Sequence, residues 1–228
     1  MWIGLAFDST LGYPGEGPIF KKYIISHNEA GLRNPERSDD WIRDFIRSYY
    51  KIRLFQETKF DHTTASAHRQ ALKGKGIASC FSCRDDGSPS EGTCILVKLT
   101  ALGVTQNDVT FSPSANGKVV TVIIKKDDLR IKTASVYLPS EPNARGLAID
   151  SIINSKELEG VHALGADHNM VPDVNLDTTR DSQTPYENAH SAKWESYLAG
   201  LGLEDTLRAT HGPGHKLPAT RFQAGCST

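Results

Sequence analysis

The 228-residue sequence has no long run of apolar residues. No stretch approaches the roughly eighteen apolar residues that a membrane helix needs, so the sequence predicts no membrane span. The N-terminus also lacks a basic segment followed by a long apolar core, which argues against a secretory signal. These absences predict an intracellular protein, nuclear or cytoplasmic, that is not secreted.

Cysteine is scarce as well, and the four cysteines are Cys80, Cys83, Cys94 and Cys226. Cys80 and Cys83 have the spacing of half a zinc site, but no second close pair follows them. Zinc is therefore the disfavoured alternative, and we interpret the cysteines as reduced thiols. A chain of this length buries roughly 70% of its unfolded surface, so it needs no disulfide for stability.

Neither sign of charge is in excess, because the net charge is -1 and the isoelectric point is about 6.7. Dedicated nucleic-acid-binding domains are usually more basic. The composition therefore gives no support for a large phosphate-binding surface, although it is compatible with a local basic strip. Apolar residues make up 38% of the sequence and charged residues 23%, which indicates a folded domain and not a disordered chain.

Segments of helix and strand character follow a leader rich in Gly and Pro. We interpret residues 1–20 as this loosely ordered leader and residues 21–228 as one domain. Helices are predicted over residues 39–49, after a Ser38 cap, and over residues 143–153 and 190–199. Strands are predicted over residues 22–27, 51–56, 77–82, 93–99, 119–124, 129–137 and 161–166. This order favours two sheets flanked by helices, an α/β (α+β) fold.

Polar side chains occur where three of these strands end. Glu57 follows one strand, Tyr137 closes another just before Pro139, and Asp167 and Asn169 follow a third. Strand ends at the rim of a sheet are where α/β folds place ligands. If the segment from Asp167 to Asn169 stays extended, both side chains point the same way. The carboxylate would then take a proton from water, and the amide would donate to a phosphoryl oxygen.

Each of these features also has a commoner interpretation when it is taken alone. A carboxylate at a strand end is usually an exposed charge, and a pair of Asp and Asn residues is usually a turn signal. Tyr137 alone is most simply an aromatic residue at the end of a strand.

Together with a fourth strand end, these features resemble the endonuclease/exonuclease/phosphatase superfamily, and in particular the endonucleases of non-LTR retrotransposons. The resemblance covers residue 22 to the end of the chain. Its motifs are an Asn-x-Asn/Asp-Gly-Leu turn at residues 28–32, Gln-Glu-Thr at 56–58, Tyr-x-Pro at 137–139 and Gly-Asp-x-Asn at 165–169. Residues 175–177 and the segment 201–211 resemble further parts of the retrotransposon enzymes.

The resemblance implies a four-layer α/β/β/α sandwich of two sheets and a DNA endonuclease that depends on Mg²⁺ (or Mn²⁺) and is associated with a reverse transcriptase. It implies that Glu57 binds the metal and that Asn28 orients the metal site. Tyr137 would contact the scissile phosphate, Asp167 would align or deprotonate the attacking water, and Asn169 would hold the phosphate as charge develops. DNA would be the partner, and no obligate protein partner is indicated.

Departures from the motifs keep two alternatives open. Ala30 stands where the first motif has a second polar residue, and Ala166 separates Gly165 from Asp167. The closing Ser-Asp-His motif of the superfamily does not follow residues 220–222. The alternatives are a catalytically inactive remnant that lacks the final strands, and a phosphoesterase for a small ligand such as an inositol phosphate. His168 and His190 match no motif, and we interpret them as surface residues.

Overall fold

Two β-sheets form the centre of the fold. The computed structural model describes residues 3–8, 24–28, 32, 35–114, 117–170 and 185–205. The strands are β1 (Ile3–Asp8), β2 (Ile24–Asn28), β3 (Ile52–Gln56), β4 (Ile77–Ser82), β5 (Thr93–Lys98), β6 (Val109–Pro113), β7 (Val119–Lys126), β8 (Leu129–Tyr137), β9 (Ala163–Asp167) and β10 (Leu203–Asp205). The helices are α1 (Pro35–Arg47), α2 (His62–Lys73), α3 (Leu99–Leu102), α4 (Pro142–Ser155) and α5 (Pro185–Gly200).

The larger sheet has the strand order β10-β1-β9-β8-β7-β6, and the smaller sheet has the order β2-β3-β5-β4. Two pairs of neighbours are parallel, one in each sheet. In the larger sheet β8 runs parallel to β9, with Tyr137 opposite Asp167. In the smaller sheet β2 runs parallel to β3, with Asn28 opposite Gln56. Parallel partners end at the same edge, so the predicted site residues leave each sheet side by side.

Three apolar clusters give the fold its four layers. Leu54 and Val122 belong to the cluster between the two sheets. Phe45 of α1 belongs to the cluster that joins α1 and α2 to the outer face of the smaller sheet. Trp194 of α5 belongs to the cluster that joins α4 and α5 to the outer face of the larger sheet. The α/β/β/α sandwich that the motifs implied is therefore confirmed.

The sheets approach each other closely beneath the strand ends. Gln56 is fully buried, and its Nε2 donates to Ser135 Oγ (2.9 Å) and to the Gly165 carbonyl oxygen (3.3 Å), both in the larger sheet. A Cβ on Gly165 would lie 2.4 Å from Ser26 Oγ and 2.8 Å from Leu54 Cδ1 of the smaller sheet. Glycine is therefore required here by the approach of the other sheet. The buried network fixes the end of β3 relative to β8 and β9.

Residues Ile3–Asp8 belong to the larger sheet, although the sequence analysis places them in a leader. Ile3 lies opposite Asp167 of β9, and Ala6 lies opposite Asp205 of β10, both in antiparallel pairs. Apart from Gly4, the Gly and Pro residues follow this segment, so averaging over residues 1–20 hides a short apolar strand.

Other element boundaries agree with the predictions to different degrees. The strands predicted at residues 77–82 and 129–137 are β4 and β8. Helix α1 begins at Pro35, so the predicted cap at Ser38 is wrong; proline suits a first helical turn because its missing N–H has no partner there. Helix α2 was not predicted, because its only buried residues are Ala65 and Leu72 and its apolar pattern is weak.

Several predictions fall outside the described residues. They concern Ala30, Cys226, residues 175–177 and 206–211, and the motif at the end of the chain. Within the described ranges, no helix has the length and apolar character that crossing a membrane requires.

Candidate active site

Asp167 is the centre of a polar cluster where β2, β3, β8 and β9 end. Its carboxylate is fully buried. Oδ2 accepts hydrogen bonds from Asn28 Nδ2 (2.5 Å) and from Asn169 Nδ2 (3.2 Å), and Oδ1 accepts one from the backbone N–H of Asn169 (3.2 Å). Asn28 belongs to the smaller sheet and Asp167 to the larger, so the carboxylate also links the two sheets.

Asn169 faces Asp167 through a turn and not through an extended segment. Its φ is 47°, in the left-handed region, which asparagine adopts more readily than most residues other than glycine. Asn169 Nδ2 also donates to the Leu138 carbonyl oxygen (2.8 Å), while the Leu138 N–H donates to the Asp167 carbonyl oxygen (2.9 Å). The condition that residues 167–169 stay extended is therefore not met, although the two side chains do meet.

His168, between these two residues, points to the opposite side and is buried. The surface prediction for His168 is therefore wrong, and His190 on α5 is half-buried. Trp194 Nε1 donates to His168 Nδ1 (2.7 Å), which places the imidazole proton on Nε2. Burial lowers the pKa of His168 to about 3, so the ring is neutral. His168 thus ties the end of β9 to α5.

Glu57 follows β3 directly and is presented by a tight turn. Its φ is 53° and that of Lys59 is 55°, so two strained residues flank Thr58. The backbone N–H groups of Thr58 and Lys59 donate to the carbonyl oxygens of Gly92 (3.2 Å) and Glu91 (2.8 Å). Lys59 Nζ lies 3.2 Å from Glu57 Oε2. The loop before β5 therefore holds the turn, and the lysine balances a carboxylate that is only 7% exposed.

Electrostatics bring the ionisation of Asp167 into the neutral range. Burial, together with the negative charge of Glu57, raises the pKa of Asp167 to about 7, and hydrogen bonds from Asn169 and Asn28 limit the rise. A carboxylate with such a pKa can accept a proton and release it near neutral pH.

Tyr137 behaves differently, because its hydroxyl stays protonated. Burial raises the pKa of Tyr137 well above its ordinary value, and the nearby carboxylates of Glu57, Asp167 and Glu91 raise it further. A side-chain hydrogen bond with Asn169 acts in the opposite direction. The phenol is therefore available as a hydrogen-bond donor at the edge of the cluster, and Glu91 is a neighbour that no motif indicated.

The donor atoms of the site suit a hard divalent cation. Glu57 and Asp167 contribute carboxylate oxygens, and Asn28, whose Nδ2 donates to Asp167, adds an amide oxygen to the cluster. In the part of the chain that the structure describes, no three His, Cys, Asp or Glu residues are grouped to hold a metal by themselves. Mg²⁺ characteristically uses one or two carboxylates together with waters and substrate phosphates, so this oxygen set fits Mg²⁺ or Mn²⁺.

The cysteines fit zinc poorly. Cys80, Cys83 and Cys94 are buried free thiols. Burial raises the pKa of each thiol, which disfavours the thiolate that binds zinc. This agrees with the interpretation of reduced thiols.

The structure brings together the five side chains that the motifs indicate, namely Asn28, Glu57, Tyr137, Asp167 and Asn169. The residues that hold these five in place are not evident from the sequence. Gln56 belongs to the Gln-Glu-Thr motif, but the motif does not indicate that this side chain fixes the two sheets to each other. Arg145 gave no signal, because an arginine in a predicted helix is normally at the surface. In the structure it is 2% exposed.

Solved structures of nucleases share this fold. The endonuclease domain of TRAS1, a telomere-specific non-LTR retrotransposon, is 18% identical over 80% of this chain and 72% of its own, with a TM-score of 0.50. The 3′-5′ exonuclease NExo from Neisseria meningitidis is 19% identical over 84% of this chain and 76% of its own, with a TM-score of 0.61. The AP endonuclease LMAP from Leishmania major is 16% identical over 89% of this chain and 73% of its own, with a TM-score of 0.65.

No family model matches the sequence, and no curated protein does. At the identities of the solved structures, the similarity establishes the fold. The resemblance to the endonuclease/exonuclease/phosphatase fold, including that of a non-LTR retrotransposon endonuclease domain, is thus confirmed.

Proposed function

We propose that this chain hydrolyses phosphodiester bonds in DNA as a Mg²⁺-dependent endonuclease of the retrotransposon type. The observation that carries the proposal is the buried carboxylate of Asp167. It lies between the amides of Asn28 and Asn169, and its pKa is raised to about 7. Glu57 and Tyr137 surround it at the ends of neighbouring strands. A proton acceptor, an oxygen ligand and two hydrogen-bond donors in one cluster are the groups that phosphodiester hydrolysis needs.

Each side chain has a separate task in the proposed reaction. Deprotonated Asp167 orients a water molecule and takes its proton as the water oxygen attacks phosphorus. The two amides that donate to Asp167 Oδ2 keep the carboxylate in one orientation. The phenol of Tyr137 donates to the phosphoryl oxygens, on which negative charge grows. The amide of Asn169 joins it by exchanging its longer hydrogen bond, the one to Asp167, for one to phosphate when substrate binds.

Glu57 and the amide oxygen of Asn28 would hold the cation, with Lys59 beside Glu57. When bound, Mg²⁺ supplies positive charge that offsets the charge of the phosphate and of the leaving oxygen. Lys59 would then no longer be needed to balance the charge of Glu57, so we expect the lysine to move aside or to contact phosphate.

DNA is favoured as the substrate by two different observations. The motif at residues 56–58 and the neighbouring strand ends have the order found in retrotransposon endonucleases. Among the proteins that share the fold, NExo has also been solved bound to a product DNA hairpin. The near-neutral net charge implies that binding depends on a few local contacts and not on a large basic surface.

The test is nicking of supercoiled plasmid by the purified chain with Mg²⁺. We expect nicking by the wild type, and a loss on the order of 100-fold or more in Glu57→Gln and in Asp167→Asn. Glu159→Gln is the matched control, because Glu159 is an exposed carboxylate that precedes the start of β9, at the opposite end of the strand from Asp167. Equal rates in all four proteins would refute the assignment of the site.

The same experiment separates the alternatives. Release of phosphate from inositol phosphates without nicking would identify a small-ligand phosphoesterase. A folded chain that cleaves neither substrate would identify an inactive remnant of the fold.

A further inference from the structure

Arg145 joins the two chain segments that leave β8 and β9 beside the candidate active site. Its Nη1 donates to the carbonyl oxygens of Pro139 (3.4 Å), Ser140 (3.1 Å) and Asn169 (2.6 Å). The first two acceptors belong to the segment that follows Tyr137. The third belongs to the turn that follows β9. One guanidinium group therefore connects the segments that carry the proposed phosphate donors.

The start of α4 fixes the position from which Arg145 reaches these carbonyls. The side chain of Glu141 caps the helix by accepting from the backbone N–H groups of Asn143 (2.9 Å) and Ala144 (2.6 Å). The N–H of Arg145 donates to the Glu141 carbonyl oxygen (2.9 Å). Pro142, the first residue of α4, has its φ fixed by its ring. The arginine thus projects from a rigid helix start.

Packing alone does not account for an arginine at this position. Arg145 is buried on the same helix as Ala148, Ile149 and Ile152, which belong to an apolar cluster. Burying a guanidinium is unfavourable unless its N–H groups meet acceptors, and an aliphatic side chain would avoid that cost. What arginine adds is a charged donor group, Nη1, that reaches carbonyl oxygens of two segments at once.

We propose that Arg145 is a positioning residue, which fixes the orientation of the Asn169 amide by holding the Asn169 carbonyl oxygen. Asn169 adopts a left-handed φ of 47°, one of several conformations open to asparagine, and the bond from Arg145 to its carbonyl oxygen favours this one. In this conformation of the turn its Nδ2 reaches the Leu138 carbonyl oxygen (2.8 Å) and Asp167 Oδ2 (3.2 Å). If the carbonyl is released, the turn can relax and the amide leaves the phosphate site.

The effect of Arg145 on the reaction rate rests on the proposed hydrolysis. Its effect on the orientation of the Asn169 amide can be measured without substrate. The first measurement is therefore NMR of the full chain without metal, following the side-chain amide signal of Asn169. That signal is assigned by its absence in Asn169→Asp. In Arg145→Ala we expect the signal to shift, and millimolar guanidinium, which can enter the space left by the side chain, to return it toward the wild-type position.

Ile149→Ala is the matched control, because Ile149 is fully buried on the same helix. It should lower stability without moving the Asn169 signal, and guanidinium should have no effect on it. Sodium chloride at the same concentration should restore nothing in Arg145→Ala. An Asn169 signal that is identical in the wild type and Arg145→Ala would overturn the positioning role.

The second measurement is plasmid nicking. We expect Arg145→Ala to lower kcat on the order of 100-fold with little change in KM, since a misplaced group costs rate more than binding. Guanidinium should restore part of the rate in Arg145→Ala and none in Ile149→Ala. A rate loss that guanidinium does not restore would also count against the proposal.

The two measurements separate failure of this inference from failure of the proposed function. A wild-type chain that does not nick DNA refutes the function, and the NMR result still decides the role of Arg145. If Arg145→Ala does not fold, Arg145→Lys takes its place, because it keeps the charge and loses the planar donors. The Asn169 signal should shift in Arg145→Lys, and an unshifted signal would overturn the inference.

Discussion

His168 and Asp167 are neighbours in the chain, and their buried ionisations should affect stability in opposite directions as the pH falls. The pKa of His168 is lowered to about 3 in the folded protein from an ordinary 6.5, so its contribution is present above pH 6.5 and is lost as pH falls toward 3. The pKa of Asp167 is raised to about 7 from an ordinary 3.8, so its contribution is present below pH 3.8 and is lost as pH rises through 7.

The two effects nearly cancel between pH 7 and pH 5. Protonation of His168 in the unfolded chain should lower the free energy of unfolding by about 2 kcal/mol over this range, at about 1.4 kcal/mol per pKa unit. Protonation of Asp167 in the folded chain should raise it by about 2 kcal/mol over the same range. In the wild type these two residues together should therefore contribute little pH dependence.

Replacing either residue should reveal the pH dependence that the other gives to the free energy of unfolding. In His168→Phe, unfolding free energy should rise by about 2 kcal/mol from pH 7 to pH 5 relative to the wild type, and in Asp167→Asn it should fall by a similar amount. The lost acceptor of Trp194 in His168→Phe adds a cost of about 1–3 kcal/mol, but this cost is the same at both pH values.

The assay is urea unfolding in the presence of EDTA at pH 7 and pH 5. Ile152→Val is the control, because it removes one methyl group from a buried side chain and changes no ionisable group. Its pH dependence should match that of the wild type. If the free energy of unfolding changed equally from pH 7 to pH 5 in the wild type, His168→Phe and Asp167→Asn, it would refute the claim that burial keeps both side chains uncharged.

The remaining predictions concern the cluster and its support. Gly165→Ala should lower stability by about 1–3 kcal/mol through its clash with Ser26, and adding Ser26→Gly should restore part of it, as thermal unfolding would show. Gln56→Met should cost about 1–3 kcal/mol by leaving buried partners unpaired, and an unchanged melting temperature would contradict this. Tyr137→Phe should keep stability and lower nicking on the order of 100-fold; a wild-type rate would exclude the phenol as a donor. The nicking rate of the wild type should rise with pH through about 7 at low Mg²⁺, as the proton leaves Asp167, and a flat profile would remove Asp167 as the base.

The sequence by itself determined where most of the sheet strands lie and which polar residues follow them. β4 and β8 were predicted with their observed bounds, because apolar runs stand between turn-forming residues. β3 and β9 were predicted to within two residues, which placed Glu57 and Asp167 just at their ends. Local composition could do this because strand propensity and the turns that end strands are local properties of the chain.

Only the tertiary structure decided how these strand ends meet. The cross-sheet bonds of Gln56, the reach of Arg145 to Asn169, and the contact of His168 with Trp194 join residues between 24 and 109 positions apart. The left-handed turn at Asn169 likewise depends on contacts with the segment after β8. Contacts between residues so far apart in the sequence arise from the register of the parallel strands and from the packing of the two sheets. The same long-range contacts bury His168 and Arg145, which the sequence alone would place at the surface. No local sequence pattern contains that information.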